Sequence, residues 1–253
     1  MSVPVFLSEA AGRPAGGGDR VVLDGPEGRH AAAVRRMRPG ERLDLTDGAG
    51  RVAECVVLDV GRDRLTAEVL RWFEVEPPRP RLIVVQGLPK GDRGELAVEM
   101  LTEAGVDVIV PWAAARCVTR WQGDRAAKAL GRWRGTAREA AKQSRRFHLP
   151  EVTEQATTAR VADLIASAAL AVVLHEEAAE PLSGLDVPGV LTDARGRSDI
   201  VVVVGPEGGI TDAEVAAFRA AGAVPALLGP TVLRTSTAGI AAAAVLLSRC
   251  GRW

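Results

Sequence analysis

The segment VVVVGPEGGITDAE, Val201–Glu214, decides how this chain folds. A run of valines, apolar on both faces, suits a strand buried in a parallel sheet covered by helices. The run ends in Gly205-Pro206-Glu207-Gly208-Gly209. Paired glycines free the backbone in φ and let a ligand approach closely. Thr211 with Glu214 three residues on forms a capping-box pattern, so a helix begins at Asp212. A second segment, LGPTVLRTSTAGIAAAAVL, Leu228–Leu246, repeats the plan. Apolar residues run into a Gly-Pro turn, and a helix follows. Arg234 lies between an apolar pair and Thr235-Ser236-Thr237, any of which is placed to cap that helix. Side by side, the two turns would make a backbone-lined pocket at the carboxyl ends of parallel strands. Neither contains GxGxxG or a P-loop pattern. On residue types alone, Gly205–Gly209 reads as a tight structural turn or as a ligand loop.

Outward from these turns, strands and helices alternate from Arg81 onward. The expected strands are Leu82–Gln86, Val106–Val110, Ala171–His175, Ile200–Val204 and Ala226–Leu228. The expected helices are Asp92–Ala104, Ala126–Gln143, Val161–Ser167, Asp212–Ala221 and Thr237–Ser248. The alternation implies an α/β fold with right-handed crossovers. The first part of the chain differs. Short β-like runs recur at Arg20–Leu23, Arg42–Thr46, Val52–Val60 and Leu65–Trp72, separated by Gly/Asp turns. They suggest a small barrel or compact sheet. One short helix is expected from Pro26 to Met37. Proline-rich Glu74–Pro80 reads as a stiff linker. The expected division is residues 1–74, a linker at 75–80, and residues 81–253.

At 47% hydrophobic and 25% charged, the chain reads as an ordinary globular protein. Cys55, Cys117 and Cys250 lack metal-site or redox spacing, which implies unreactive thiols in a reducing compartment. No basic region precedes an apolar core at the N-terminus, and no apolar run is long enough to span a bilayer. A cytoplasmic location is expected, with no membrane and no metal. The formal net charge is zero, yet the charge is uneven. Between Arg116 and Arg146 the basic residues include Arg120, Arg132, Arg138, Lys142 and Arg145, opposed only by Asp124 and Glu139. Such a field can hold a phosphate backbone; it also suits a solvated helix face.

Gly205–Gly209 and Leu228–Ala238 together closely resemble the C-terminal signature of the RsmE family. These enzymes methylate N3 of a uridine in 16S ribosomal RNA and belong to the SPOUT, or trefoil-knotted, superfamily. Leu88-Pro89-Lys90-Gly91-Asp92-Arg93, Leu101–Val106, Glu139–Arg146 and Leu174-His175-Glu176 look like further family blocks. His30, Val34-Arg35 and Gly40 resemble its PUA-like RNA-binding domain. The resemblance covers nearly the whole chain in order. It implies an α/β fold: a C-terminal SPOUT trefoil-knot methyltransferase domain with a mostly parallel sheet, preceded by a small PUA-like β-barrel.

The resemblance also implies S-adenosylmethionine as cofactor. Leu174, His175, Gly205, Pro206, Glu207, Gly208, Gly209, Leu228, Gly229 and Leu233 would line its pocket. Arg234 is the leading catalytic candidate, because N3 must become anionic and arginine stays charged. Arg138 is an alternative. Glu103 and Glu139 are candidate proton acceptors, as is Glu207. His30, Arg35, Arg36, Arg116, Arg120, Arg132, Lys142, Arg145 and Arg146 would contact RNA in the small ribosomal subunit. A homodimer through the C-terminal domain is implied as well. One departure stands out: the family pattern has glutamate where this chain has Ser236. Two other readings stay open, ribose 2′-O-methylation by the same fold and a non-enzymatic RNA-binding assembly factor.

Overall fold

A computed structural model of the protein describes residues 3–12, 19–187 and 198–253. The chain divides into two compact units. The first is Met1–Pro77 with Ala141–Leu149, and the second is Pro78–Ala140 with Pro150–Trp253.

The first unit is built on a five-stranded sheet. Its strands are β1 (Val5–Leu7), β2 (Arg20–Leu23), β3 (Arg42–Thr46), β4 (Arg51–Val60) and β5 (Leu65–Glu74). They lie in the order β1-β3-β4-β5-β2. Only the β1–β3 pair is parallel. Register shifts at Glu54/Cys55 and Val57/Asp59 mark irregularities between β4 and β5, the local bends that let a sheet curl. Alternate residues point inward, so Leu43, Leu45, Ala53, Cys55, Leu65 and Ala67 form a core with Phe6. Burial, with Asp44 and Glu54 beside it, pushes the Cys55 thiol up to about 12, which leaves it unreactive. The helix expected over Pro26–Met37 is instead split. It comprises α1 (Gly25–Arg29) and a π-helical turn, His30–Val34, and the chain leaves it through Arg36 at φ 53°.

The division differs from the expected one at Ala141–Leu149, which belongs with the first unit. Lys142 Nζ lies 2.9 Å from Glu27 Oε1, both buried. The Gly50 amide donates to the Phe147 carbonyl at 3.0 Å, and the Leu149 amide to that of Gly48 at 2.9 Å. His148 Nε2 lies 2.7 Å from the Val75 carbonyl. These contacts join residues about a hundred positions apart, which local composition does not encode.

The second unit holds a six-stranded, all-parallel sheet. Its elements are β6 (Leu82–Gly87), α2 (Arg93–Glu103), β7 (Val108–Trp112), α3 (Asp124–Gln143), β8 (Glu151–Val152), α4 (Thr158–Ser167), β9 (Leu170–Leu174), β10 (Ile200–Val204), α5 (Asp212–Ala220), β11 (Val224–Ala226) and α6 (Thr235–Arg249). The last turn of α3 lies within Ala141–Leu149. The strand order is β11-β9-β10-β6-β7-β8. Every residue of β10 is buried, as its unbroken apolar run requires. Each buried valine there contributes about 1.5–3 kcal/mol. Helix α6 packs on β6, β10 and α2, while α4 and α5 pack on each other and on β9 and β11.

Several element bounds differ from expectation, with α3 beginning at Asp124 and α4 at Thr158, and three further differences have a local reason. β7 begins two residues later, because Val106 still closes the turn after α2 by donating to Leu101. β11 lies earlier, and Pro225 is tolerated in it because the strand is at the sheet edge. Helix α6 starts at Thr235 with Arg234 as its N-cap, so none of the three hydroxyl residues caps it. Among the described residues no group of His, Cys, Asp and Glu could hold a metal ion, and no helix is long and apolar enough to cross a membrane.

Candidate active site

Strand β10 runs out at Val204 into the first segment singled out in the sequence, Gly205–Gly209, whereas the second, Leu228–Arg234, follows the edge strand β11; β9, which lies between these two strands, ends at Leu174. Thr235, the first residue of α6, donates its hydroxyl to the Gly205 carbonyl and ties the second turn to the first. Gln86, fully buried at the end of β6, donates its side-chain amide to the carbonyls of Gly87 and Thr235 at 3.2 and 3.3 Å. Thus the start of α6 is fastened to two neighbouring strands. The first turn is equally constrained. A Cβ on Gly205 would lie 2.8 Å from Ile210 Cγ1, and one on Gly208 would lie 2.9 Å from the Arg116 carbonyl oxygen. Gly209 holds φ 76°, a conformation that favours glycine.

Helix α5 anchors the far end of this turn. The predicted capping box is present between Thr211 and Glu214. Glu214 also accepts the Ala115 amide at 2.8 Å and the Thr158 hydroxyl at 3.2 Å. Burial alone would raise the Glu214 carboxyl. The hydrogen bonds from Thr211, Ala115 and Thr158 outweigh it and hold the group below its ordinary value.

Between the turns lies a cavity of about 720 Å³. Leu174, His175, Gly205–Gly209, Leu228, Gly229 and Leu233 all line it, together with Arg234 and Arg116. The Arg116 guanidinium reaches the carbonyls of Gly208 and Ile210 at 3.4 and 3.5 Å, so it braces the first turn. The Glu207 carboxylate lines the cavity and accepts the Lys90 amide at 3.1 Å. His175 accepts the Glu177 amide through Nδ1 at 3.3 Å.

The remaining predicted residues lie elsewhere. Glu103 ends α2, and Arg138 and Glu139 are exposed on α3; none lines the cavity. Arg132 pairs with Glu95 at 2.8 Å, and Arg120 donates to the Ala115 carbonyl at 3.3 Å. Lys142, expected on the RNA face, is buried against Glu27. In the first unit His30 packs edge-on against Phe6, with ring centroids 5.8 Å apart. Arg35, Arg36 and Arg145 are exposed there, and Arg146 donates to the His148 carbonyl at 3.1 Å.

Sequence reasoning missed Arg93, Gln86 and Thr235 as site residues. Arg93 sits in a quoted block, Leu88–Arg93, yet nothing local revealed that it lines the cavity. Ser236 is 1% exposed and does not line the cavity.

A parallel sheet in which the turns after β10 and β11 are tied together by Thr235 and Gly205, on a chain that also carries a small curled sheet, defines an RNA methyltransferase of the knotted α/β class. The RNA methyltransferase domain family matches residues 76–247, and the RNA methyltransferase PUA domain family matches residues 23–70. The chain is 50% identical over 236 residues to the ribosomal RNA small subunit methyltransferase E of Mycobacterium tuberculosis, covering 92% of this chain and 87% of that protein. The structure of a ribosomal RNA small subunit methyltransferase E from Neisseria gonorrhoeae bound to S-adenosyl methionine aligns with TM-score 0.78 at 26% identity, over 98% of each chain. A methyltransferase from Legionella pneumophila in complex with the cofactor SAM aligns with TM-score 0.82 at 26% identity, over 98% of each. The chain belongs to the ribosomal RNA small subunit methyltransferase E family.

Proposed function

We propose that this protein methylates N3 of a uridine in 16S ribosomal RNA of the small subunit, with S-adenosylmethionine as donor. One observation carries this reading: a single cavity gathers every residue expected to hold the cofactor, together with Arg234. The cavity fits the cofactor on its own terms. A Cβ at Gly229 would meet nothing within 4 Å, so the backbone there faces open space. Among the described residues, the backbone amides of Leu228, Gly229, Thr231, Val232 and Leu233 donate to no protein acceptor. Such amides can read an adenine edge and a ribose, while Leu174, Leu228 and Leu233 supply apolar contact.

When bound, the cofactor supplies a methyl group: the N–C bond forms as the S–C bond breaks, and that electron pair returns to sulfur. Uridine N3 has a pKa of roughly 9–10, close to that of tyrosine, so it reacts well only after losing its proton. Arg234 keeps its charge and offers several donors to the developing uridinate. Glu207 is the candidate proton acceptor that lines the cavity, whereas Glu103 and Glu139 lie outside it. N3 is on the pairing edge, so the uridine must be unpaired or flipped to reach the site. Exposed Arg35, Arg36, Arg138 and Arg145 serve the RNA backbone in this reading.

Arg234→Ala tests it. Turnover should fall by about a hundredfold or more, with cofactor affinity nearly unchanged, because the partner of Arg234 exists only as charge develops. Equal loss of turnover and cofactor affinity would make Arg234 a wall of the pocket instead.

A further inference from the structure

Among the described residues, three arginines line the cavity: Arg93, Arg116 and Arg234. Arg116 is committed to the carbonyls of Gly208 and Ile210. Arg234 leads into α6 and is exposed. Arg93 is half-buried, and among the described residues its side chain has no hydrogen bond or ion pair. A half-desolvated guanidinium without an internal acceptor calls for an anionic partner.

We propose that Arg93 binds the carboxylate of the cofactor's methionyl end; this rests on the reading of the cavity as an S-adenosylmethionine site. The charge around it makes such a partner necessary. Glu176, Glu177, Glu207 and Asp212 also line the cavity. They favour the sulfonium and the ammonium of the cofactor, and they repel its carboxylate unless a cation is set aside for it. Arg93 meets that need with a planar fork that matches a carboxylate in two-point contact.

Its position is also fixed in advance. The loop leading to Arg93 is held at three points. The Leu88 amide donates to the Trp112 carbonyl at 3.1 Å. The Thr119 hydroxyl donates to the Pro89 carbonyl at 2.7 Å. The Lys90 amide donates to Glu207 at 3.1 Å. The last of these ties the loop to the first cofactor turn, so Arg93 is presented from an anchored backbone, which limits the ordering cost of binding.

Calorimetry on the full-length protein tests the assignment, with S-adenosylmethionine and its decarboxylated analogue as the two ligands. Arg93→Ala should weaken S-adenosylmethionine about tenfold or more, since hydrogen bonds between charged groups are the stronger kind. The analogue lacks the carboxylate, so wild type and Arg93→Ala should bind it alike, within about twofold. Arg93→Lys, which keeps the charge but not the fork, should fall between. An unchanged thermal midpoint accompanies this result, because the Arg93 side chain makes no hydrogen bond or ion pair with any described residue. Equal weakening of both ligands would overturn the assignment and make Arg93 structural. Unchanged affinity for both, with weaker RNA binding, would overturn it in favour of a phosphate contact. If the wild type bound neither ligand, the cofactor reading itself would fail, and the assignment with it.

Discussion

Ser236 occupies the position where the resembling family pattern has a carboxylate. It is buried in the body of α6, and its hydroxyl makes no hydrogen bond with any described residue. The cavity is lined by its neighbour Thr235 instead. Ser236 itself therefore forms no part of the cavity wall. Glu214 shows the opposite case, a buried carboxylate with a full set of donors. Its pKa is held below the ordinary glutamate value of 4.5. A depressed carboxylate adds stability that is fully present above the unfolded value and is lost as pH falls through the folded one. Thermal melts should show stability falling with acidification below about pH 4.5, and Glu214→Gln should blunt that fall. Glu214→Ala strands the Ala115 amide and should cost about 2 kcal/mol or more at neutral pH. A mutant melting like wild type across this range would contradict the role given to Glu214. Basic residues were the least legible in the sequence. Ten of them follow one another between Arg116 and Arg146, and only the structure separates exposed Arg138 from buried, paired Lys142.

At the level of elements, the signal followed burial and capping. β10 was legible to the residue because a strand buried on both faces needs an unbroken apolar run. The start of α5 was legible because its cap is a local motif. The start of α6 was not, because Thr235 is engaged by Gly205 and Gln86, distant groups that no local pattern names. β1 and β8 were too short to register, at three and two residues. The resemblance implies a homodimer through the C-terminal domain, and we propose α6 as its interface. Ala238, Ile240, Ala241, Ala244 and Val245 are only partly buried; the three alanines permit close approach of a second helix, and Ile240 and Val245 offer it apolar surface. Light scattering should give twice the 26.6 kDa chain mass, and Ala241→Arg should halve it. A wild-type particle at the single-chain mass would refute that interface.

For the whole molecule, the decisive fact is long-range. The turns at Gly205–Gly209 and Leu228–Arg234 come together because α6 returns to pack on β6 and β10. Spacing in the sequence placed each turn after a strand, but it could not join them; the resemblance of ordered blocks supplied that. The same limit applies to Ala141–Leu149, whose place in the first unit depends on partners such as Glu27 and Gly50. The RNA substrate tests the account as a whole. Small ribosomal subunits lacking the modification are incubated with the protein and methyl-labelled S-adenosylmethionine, and the labelled nucleoside is identified. Label in 3-methyluridine is the predicted result. Label in a 2′-O-methylated ribose, or no transfer at all while the cofactor binds, would contradict it.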